Sequence, residues 1–60
     1  MKLVTVRHKK GLSQRALAKL SKVTNVTIAR IESGVYDPRL STLRLLAKAL
    51  RVRVADLIDE

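Results

Sequence analysis

Residues Gln14 to Ser33 read QRALAKLSKVTNVTIARIES. Two short helical patterns meet in this stretch, across a turn too tight for an ordinary loop. Ser13 stands where a helix cap belongs, and Leu17, Ala18 and Ser21 follow on one face of the first pattern. Thr24 holds the same place before the second pattern, where Ile28 and Ile31 are spaced to point inward. Ala18 is small, which two helices need where they cross closely. The other face of the second helix is left with Asn25, Val26, Ala29, Arg30 and Ser33. Such a helix protrudes, supported from behind, and is suited to being laid against another molecule.

Working outward, the chain divides into five helices. A first is predicted over about Lys2 to Lys9, with Leu3 and Val6 inward and Gly11 as its stop. Val4, Thr5 and Val6 are β-branched, so this helix depends on tertiary packing. The second and third run from Gln14 to Ser21 and from Asn25 to Ser33, and Gly34 ends the third. Val35 to Arg39 form a turn-rich loop around Pro38. Ser41 starts a fourth helix with a stripe of Leu43, Leu46, Ala47 and Leu50. A short fifth spans Val54 to Ile58 and contributes Leu57 and Ile58. Gly11, Gly34 and Pro38 rule out one long helix, and pieces of this length are marginal alone. The expected fold is all-α: a compact five-helix bundle, one domain over residues 1–60.

Charge narrows the partner. Thirteen Lys and Arg against five Asp and Glu give a net charge of +8, which points to a polyanion. Met1 to Ile31 hold eight Lys or Arg and no acid, while three of the five acids lie in the last five residues. The first turns of the second, third and fourth helices also lack carboxylates, although helix dipoles favour them there. Bare N–H groups at a helix start attract phosphate instead. No cysteine is present, so disulfide, thiol and Cys-zinc chemistry are excluded, and the lone His8 makes no metal cluster. No apolar run nears the roughly 18 residues of a membrane span, and no leader pattern stands at the start. The expectation is a soluble cytoplasmic protein without metal, cofactor, membrane or small-molecule ligand. It is expected not to be an enzyme, because no arrangement of Ser, His and acid supports nucleophilic catalysis.

Lys10-Gly11-Leu12-Ser13-Gln14, Leu17-Ala18, Val23-Thr24, Ile28, Arg30-Ile31-Glu32, Gly34, Pro38 and Thr42-Leu43 through Leu46-Ala47-Lys48-Ala49-Leu50 recur in family order and spacing. In these positions the chain resembles the phage repressor and Cro-like helix-turn-helix family. The resemblance implies a domain that binds operator DNA as a two-fold dimer, with the third helix in the major groove and the second crossing the backbone. It implies base-reading roles for Asn25, Val26 and Arg30, with Gln14 near the DNA. It implies phosphate contacts for Ser13, Thr24, Thr27, Tyr36 and Arg39, and for Leu40 through its N–H. It also implies an ion pair between Arg7 and Glu32. Two positions depart from the family: Lys22 and Arg51 stand where the family usually has Gly. Arg53 stands where it often has a cap for the fifth helix.

The chemistry of these side chains fits those roles. Asn25 carries the donor and acceptor that match adenine, Val26 suits a thymine methyl, and Arg30 can grip guanine or a phosphate. Lys9, Lys10, Arg15, Lys19 and Lys22 supply salt-dependent affinity or a solvated face. One small domain buries little surface for specific binding, so a homodimer joined around Val52, Val54 and Leu57 is expected, with Leu45 adding to that surface. The leading expectation is a sequence-specific transcriptional regulator of repressor type acting on double-stranded DNA. Phage, restriction-modification and antitoxin settings all fit it. A protein-interaction or coactivator module that keeps the fold without reading bases is the alternative. A cationic membrane-surface peptide ranks third, because the chain has no Trp or Phe to anchor it.

Overall fold

Five helices follow one another in the computed structural model, which describes residues 1–58. They are α1 (Leu3–Lys9), α2 (Gln14–Ser21), α3 (Asn25–Ser33), α4 (Leu40–Leu50) and α5 (Val54–Leu57), with no strand among the described residues. α2 packs against α3 and α4, α5 packs against α4, and α1 is laid across α3 and α5. All five helices contribute to one core. Leu3, Leu17, Ile28, Leu46, Leu50 and Leu57 are its fully enclosed members, joined by Val23, Ile31, Leu43 and Ala47.

The limits of α2 and α3 are those the sequence predicts, because both signals are local. Ser13 Oγ accepts from the Ala16 N–H at 3.0 Å, and Thr24 Oγ1 accepts from the Thr27 N–H at 3.2 Å. Each satisfies a donor that the first helical turn leaves free. Lys22 closes α2 in the left-handed region (φ 67°), and its N–H donates to the Ala18 carbonyl at 3.0 Å. Gly34 closes α3 at φ 83°, a conformation that costs glycine nothing. Inside the turn, the Val23 N–H donates to Ser21 Oγ at 3.1 Å. Ser21 therefore braces the turn as well as facing the core.

Three boundaries differ from expectation. α4 starts at Leu40, not at a Ser41 cap: Arg39 is extended (ψ 159°) and occupies the cap position, so Ser41 already lies in the first turn. Pro38 biases the residue before it toward extended backbone and leaves the chain free to turn helical directly after Arg39. α5 ends at Leu57, and Ile58 is extended and exposed rather than a core residue. α1 begins at Leu3, with Lys2 as its cap residue. The Lys2 N–H donates to the Leu57 carbonyl at 2.8 Å, which binds the β-branched first helix to the last one.

α5 solves its start in an unexpected way. Arg53 has no acceptor in its side chain, so it cannot cap as Ser or Thr does. Instead Asp56 reaches back, and its Oδ2 accepts from the Arg53 N–H at 2.9 Å. That is one half of a capping box. The backbone bond from Arg53, and then its side chain, hold the Asp56 carboxyl below the usual range.

Candidate nucleic-acid interface

The supported side of α3 is its inner face, where Ile28 and Ile31 are buried. At its C-terminal end Glu32 enters a three-residue network. Arg7 Nε donates to Glu32 Oε2 at 2.7 Å and Arg7 Nη2 to Oε1 at 3.0 Å, a two-pronged contact. Arg7 Nη1 donates to the Leu12 carbonyl at 2.7 Å, and Gln14 Nε2 donates to Glu32 Oε1 at 2.8 Å. The Arg7 and Glu32 side chains are only 9% and 7% exposed. Burial pushes the Glu32 carboxyl up, but hydrogen bonds from Arg7 and then Gln14, with the charges of Arg7 and His8, hold it below its ordinary value. The hydrogen bond to Glu32 raises Arg7 against the opposing effect of burial. The end of α1, the start of α2 and the end of α3 are thereby fastened at one point.

Gln14 thus has one amide N–H committed inside the protein. The sequence reading placed it near DNA and did not find this bond, since its partner lies eighteen residues away. The composition carried a signal: Glu32 is the only acid before Asp37, and the donors around it converge on it.

The outer face of α3 is bare. Asn25, Val26 and Arg30 are exposed, and Val26 is 59% exposed. The side chains of Asn25 and Arg30 make no hydrogen bond among the described residues, and the Ser33 hydroxyl donates to the Arg30 carbonyl at 3.1 Å. Thr27 is half-buried beside its cap, with the Thr24 hydroxyl donating to Thr27 Oγ1 at 2.8 Å. After Gly34, the Val35 and Tyr36 N–H groups both donate to the Arg30 carbonyl, at 3.0 and 3.2 Å, which turns the loop back over the end of α3. Tyr36, Arg39 and Leu40 are exposed along that loop and the start of α4. No side chain caps α4 and no acid stands in its first turn. Ser13, Thr24, Asn25, Val26, Arg30 and the loop are thus all on the surface.

The expected dimer residues are placed differently. Leu57 is wholly enclosed in the core of a single chain, so its side chain is closed to a second copy. The cause is the docking of α5 between α1 and α4. Val52 and Val54 are half-buried against that core, and Ile58 is the large apolar side chain that residues 51–58 leave exposed. Leu45 is exposed but lines a groove with Leu20, apart from Val52, which lines one beside α1. Among the described residues no group of three His, Cys, Asp or Glu side chains gathers to hold a metal. No helix among the described residues is long and apolar enough to cross a membrane.

Comparison with known proteins gives this geometry a context. Residues 4–57 match the helix-turn-helix family. The chain is 36% identical over 59 residues, 98% of its length, to the HTH-type transcriptional regulator PuuR of Escherichia coli (strain K12). It is 50% identical over 46 residues, 75% of its length, to an uncharacterized HTH-type transcriptional regulator of Haemophilus influenzae. It spans 32% of the first relative and 47% of the second. No solved structure matches the chain.

Proposed function

The chain belongs to the helix-turn-helix family, and from that membership we propose that it is a sequence-specific, DNA-binding regulator of transcription of the repressor type, close in kind to phage repressors and Cro. The observation that carries this reading is the free face of α3. The side chains of Asn25, Val26 and Arg30 stand exposed, without a hydrogen bond among the described residues, on the half of the chain that has eight cations and no acid before Glu32, and the charge of Glu32 is met by Arg7. Major-groove readout requires such a face: an amide for adenine, a methyl-bearing side chain for thymine and a guanidinium for guanine or phosphate. Ser13, Thr24, Thr27, Tyr36, Arg39 and the Leu40 N–H meet the phosphates beside it. The uncapped start of α4 provides the anion-seeking N–H groups.

A homodimer on a two-fold site completes the reading, formed around Val52, Val54 and Ile58. With Ala55, these are the apolar positions that residues 51–58 leave wholly or partly exposed. Selection of bound duplexes from a random pool tests the proposal. The expected product is one half-site sequence present twice in inverted orientation, about one helical turn, roughly 34 Å, apart. Recovery of no preferred sequence would sink base readout and favour the coactivator-like alternative. Sedimentation with the selected duplex tests the dimer, and one chain bound at saturation ends it.

A further inference from the structure

A second surface differs in character from the α3 face. A groove of about 370 Å³ runs between the end of α2 and α4. Its apolar part is Leu20, Leu45 and Ala49, and Leu20 and Leu45 are 58% and 46% exposed. Lys22, Lys48 and Arg51 line it as well, and no acidic residue among the described residues does. None of its residues is among those assigned above to DNA, apart from the general phosphate attraction of Lys22.

Each possible occupant meets different chemistry here. A phosphate backbone would satisfy the cations but has little apolar surface for two exposed leucines. A second copy joined through this face by two-fold symmetry would bring like surfaces together, setting Lys22, Lys48 and Arg51 against their own equivalents. A helix bearing both acids and apolar side chains satisfies both features. We propose that this groove docks an acidic amphipathic helix of a partner protein. Apolar side chains spaced three or four apart sit on Leu20 and Leu45, while flanking carboxylates reach Lys22, Lys48 and Arg51. The backbone supplies a related observation. Lys22 (φ 67°) and Arg51 (φ 59°) are the two non-glycine residues at positive φ among the described residues, and both line this groove. Glycine is less strained in that conformation, so a cation there is kept at a cost in stability. None of Asn25, Val26 and Arg30 lines the groove, so the partner and the bases are met by different side chains.

The test uses a capped synthetic peptide of about four helical turns, with Leu at two positions four apart and Glu beside them. It is titrated into the isotope-labelled chain. Amide shifts are expected at the end of α2 and along α4. Affinity is expected to fall about tenfold or more when Leu20→Ser and Leu45→Ser are combined, and again with Lys48→Glu. Both leucines are exposed, and the helical circular dichroism of each variant checks that the fold is kept. A peptide with Ser in place of both Leu should not bind. The proposal is overturned by an absence of shifts, by shifts along α3, or by equal binding of the Ser peptide. Displacement of the peptide by an equimolar duplex would assign the groove to DNA and also overturn it. So would loss, in the double-Ser variant, of self-association or of binding to phosphatidylglycerol vesicles, which would assign it to a second copy or to lipid. None of these readouts depends on which sequence α3 reads.

Discussion

Along the nine residues of α3, Ile28, Ile31 and Glu32 are enclosed or ion-paired, while the side chains of Asn25, Val26 and Arg30 are left to solvent. One helix thus divides its work by face. The inner face fixes where the helix lies, through two isoleucines in the core and a carboxylate gripped from α1 and α2. The outer face adds nothing visible to the fold of the monomer. The contrast teaches that stability and recognition are separable here by side-chain direction, even between neighbours such as Arg30 and Ile31. Substitutions on the two faces should accordingly appear in different experiments.

The largest effects belong to the inner face. Arg7→Met or Glu32→Met alone should cost about 3–5 kcal/mol of unfolding free energy, because each leaves a buried charge without its partner. The double variant should lose much less than the sum, since no orphan charge remains. Urea denaturation of all four proteins checks this, and strict additivity would break the account of the network. Acid sharpens it. The Glu32 carboxyl titrates below its ordinary value in the folded chain, so the unfolded chain binds more protons as pH falls under ~4.3. The stability that Glu32 contributes is therefore present at neutral pH and is lost as pH drops through the folded value. Asp56 acts in the same direction. Glu32→Gln should flatten, without abolishing, the decline in unfolding free energy on acidification. An unchanged slope would show that Glu32 does not carry the linkage.

The outer face comes next. Asn25→Ala should weaken the selected duplex by about 1–3 kcal/mol and leave non-specific binding alone, with the melting temperature unchanged. Arg39→Ala, at the exposed cap of α4, should weaken all duplexes alike and lower the salt slope by about one. Binding titrations across salt concentrations on selected and scrambled duplexes separate the two. If Asn25→Ala lowered both affinities equally, Asn25 would be a phosphate contact and the division between base reading on α3 and phosphate contact at the start of α4 would fail.

What could be read from the sequence follows the range of the interaction. The limits of α2 and α3 were legible because Ser13 and Thr24 act on N–H groups three residues away. The outward set on α3 was legible because helical period alone fixes it. The start of α4 was not, since Ser41 carries a capping side chain that the backbone set by Pro38 and Arg39 leaves unused. The burial of Leu57 depends on α1, which lies at the other end of the sequence and holds α5 through the Lys2 N–H. The second use of Gln14 depends likewise on Glu32 in another helix. Local pattern reveals which residues face outward, whereas tertiary docking decides which of the inward candidates are shut off from a partner.

The smallest expected effect lies at two turns that use the same device with different support. Lys22 and Arg51 both end a helix in the left-handed region, at φ 67° and 59°. After Lys22 the next helix is capped by the Thr24 hydroxyl, and Ser21 Oγ braces the turn. After Arg51 the next helix relies on the exposed Asp56 reaching back to Arg53. A side chain raises the energy of the left-handed conformation, whereas glycine adopts it without that penalty but gains freedom in the unfolded chain. The net result should be a stabilisation of about 0.5–1 kcal/mol for Lys22→Gly or Arg51→Gly, read as a higher urea midpoint. The two should be additive, because they sit in separate turns with separate caps. If Lys22→Gly instead destabilised the chain, the lysine would be contributing more to its turn than the strain it brings. The two turns would then differ in the worth of their cations as well as in their caps.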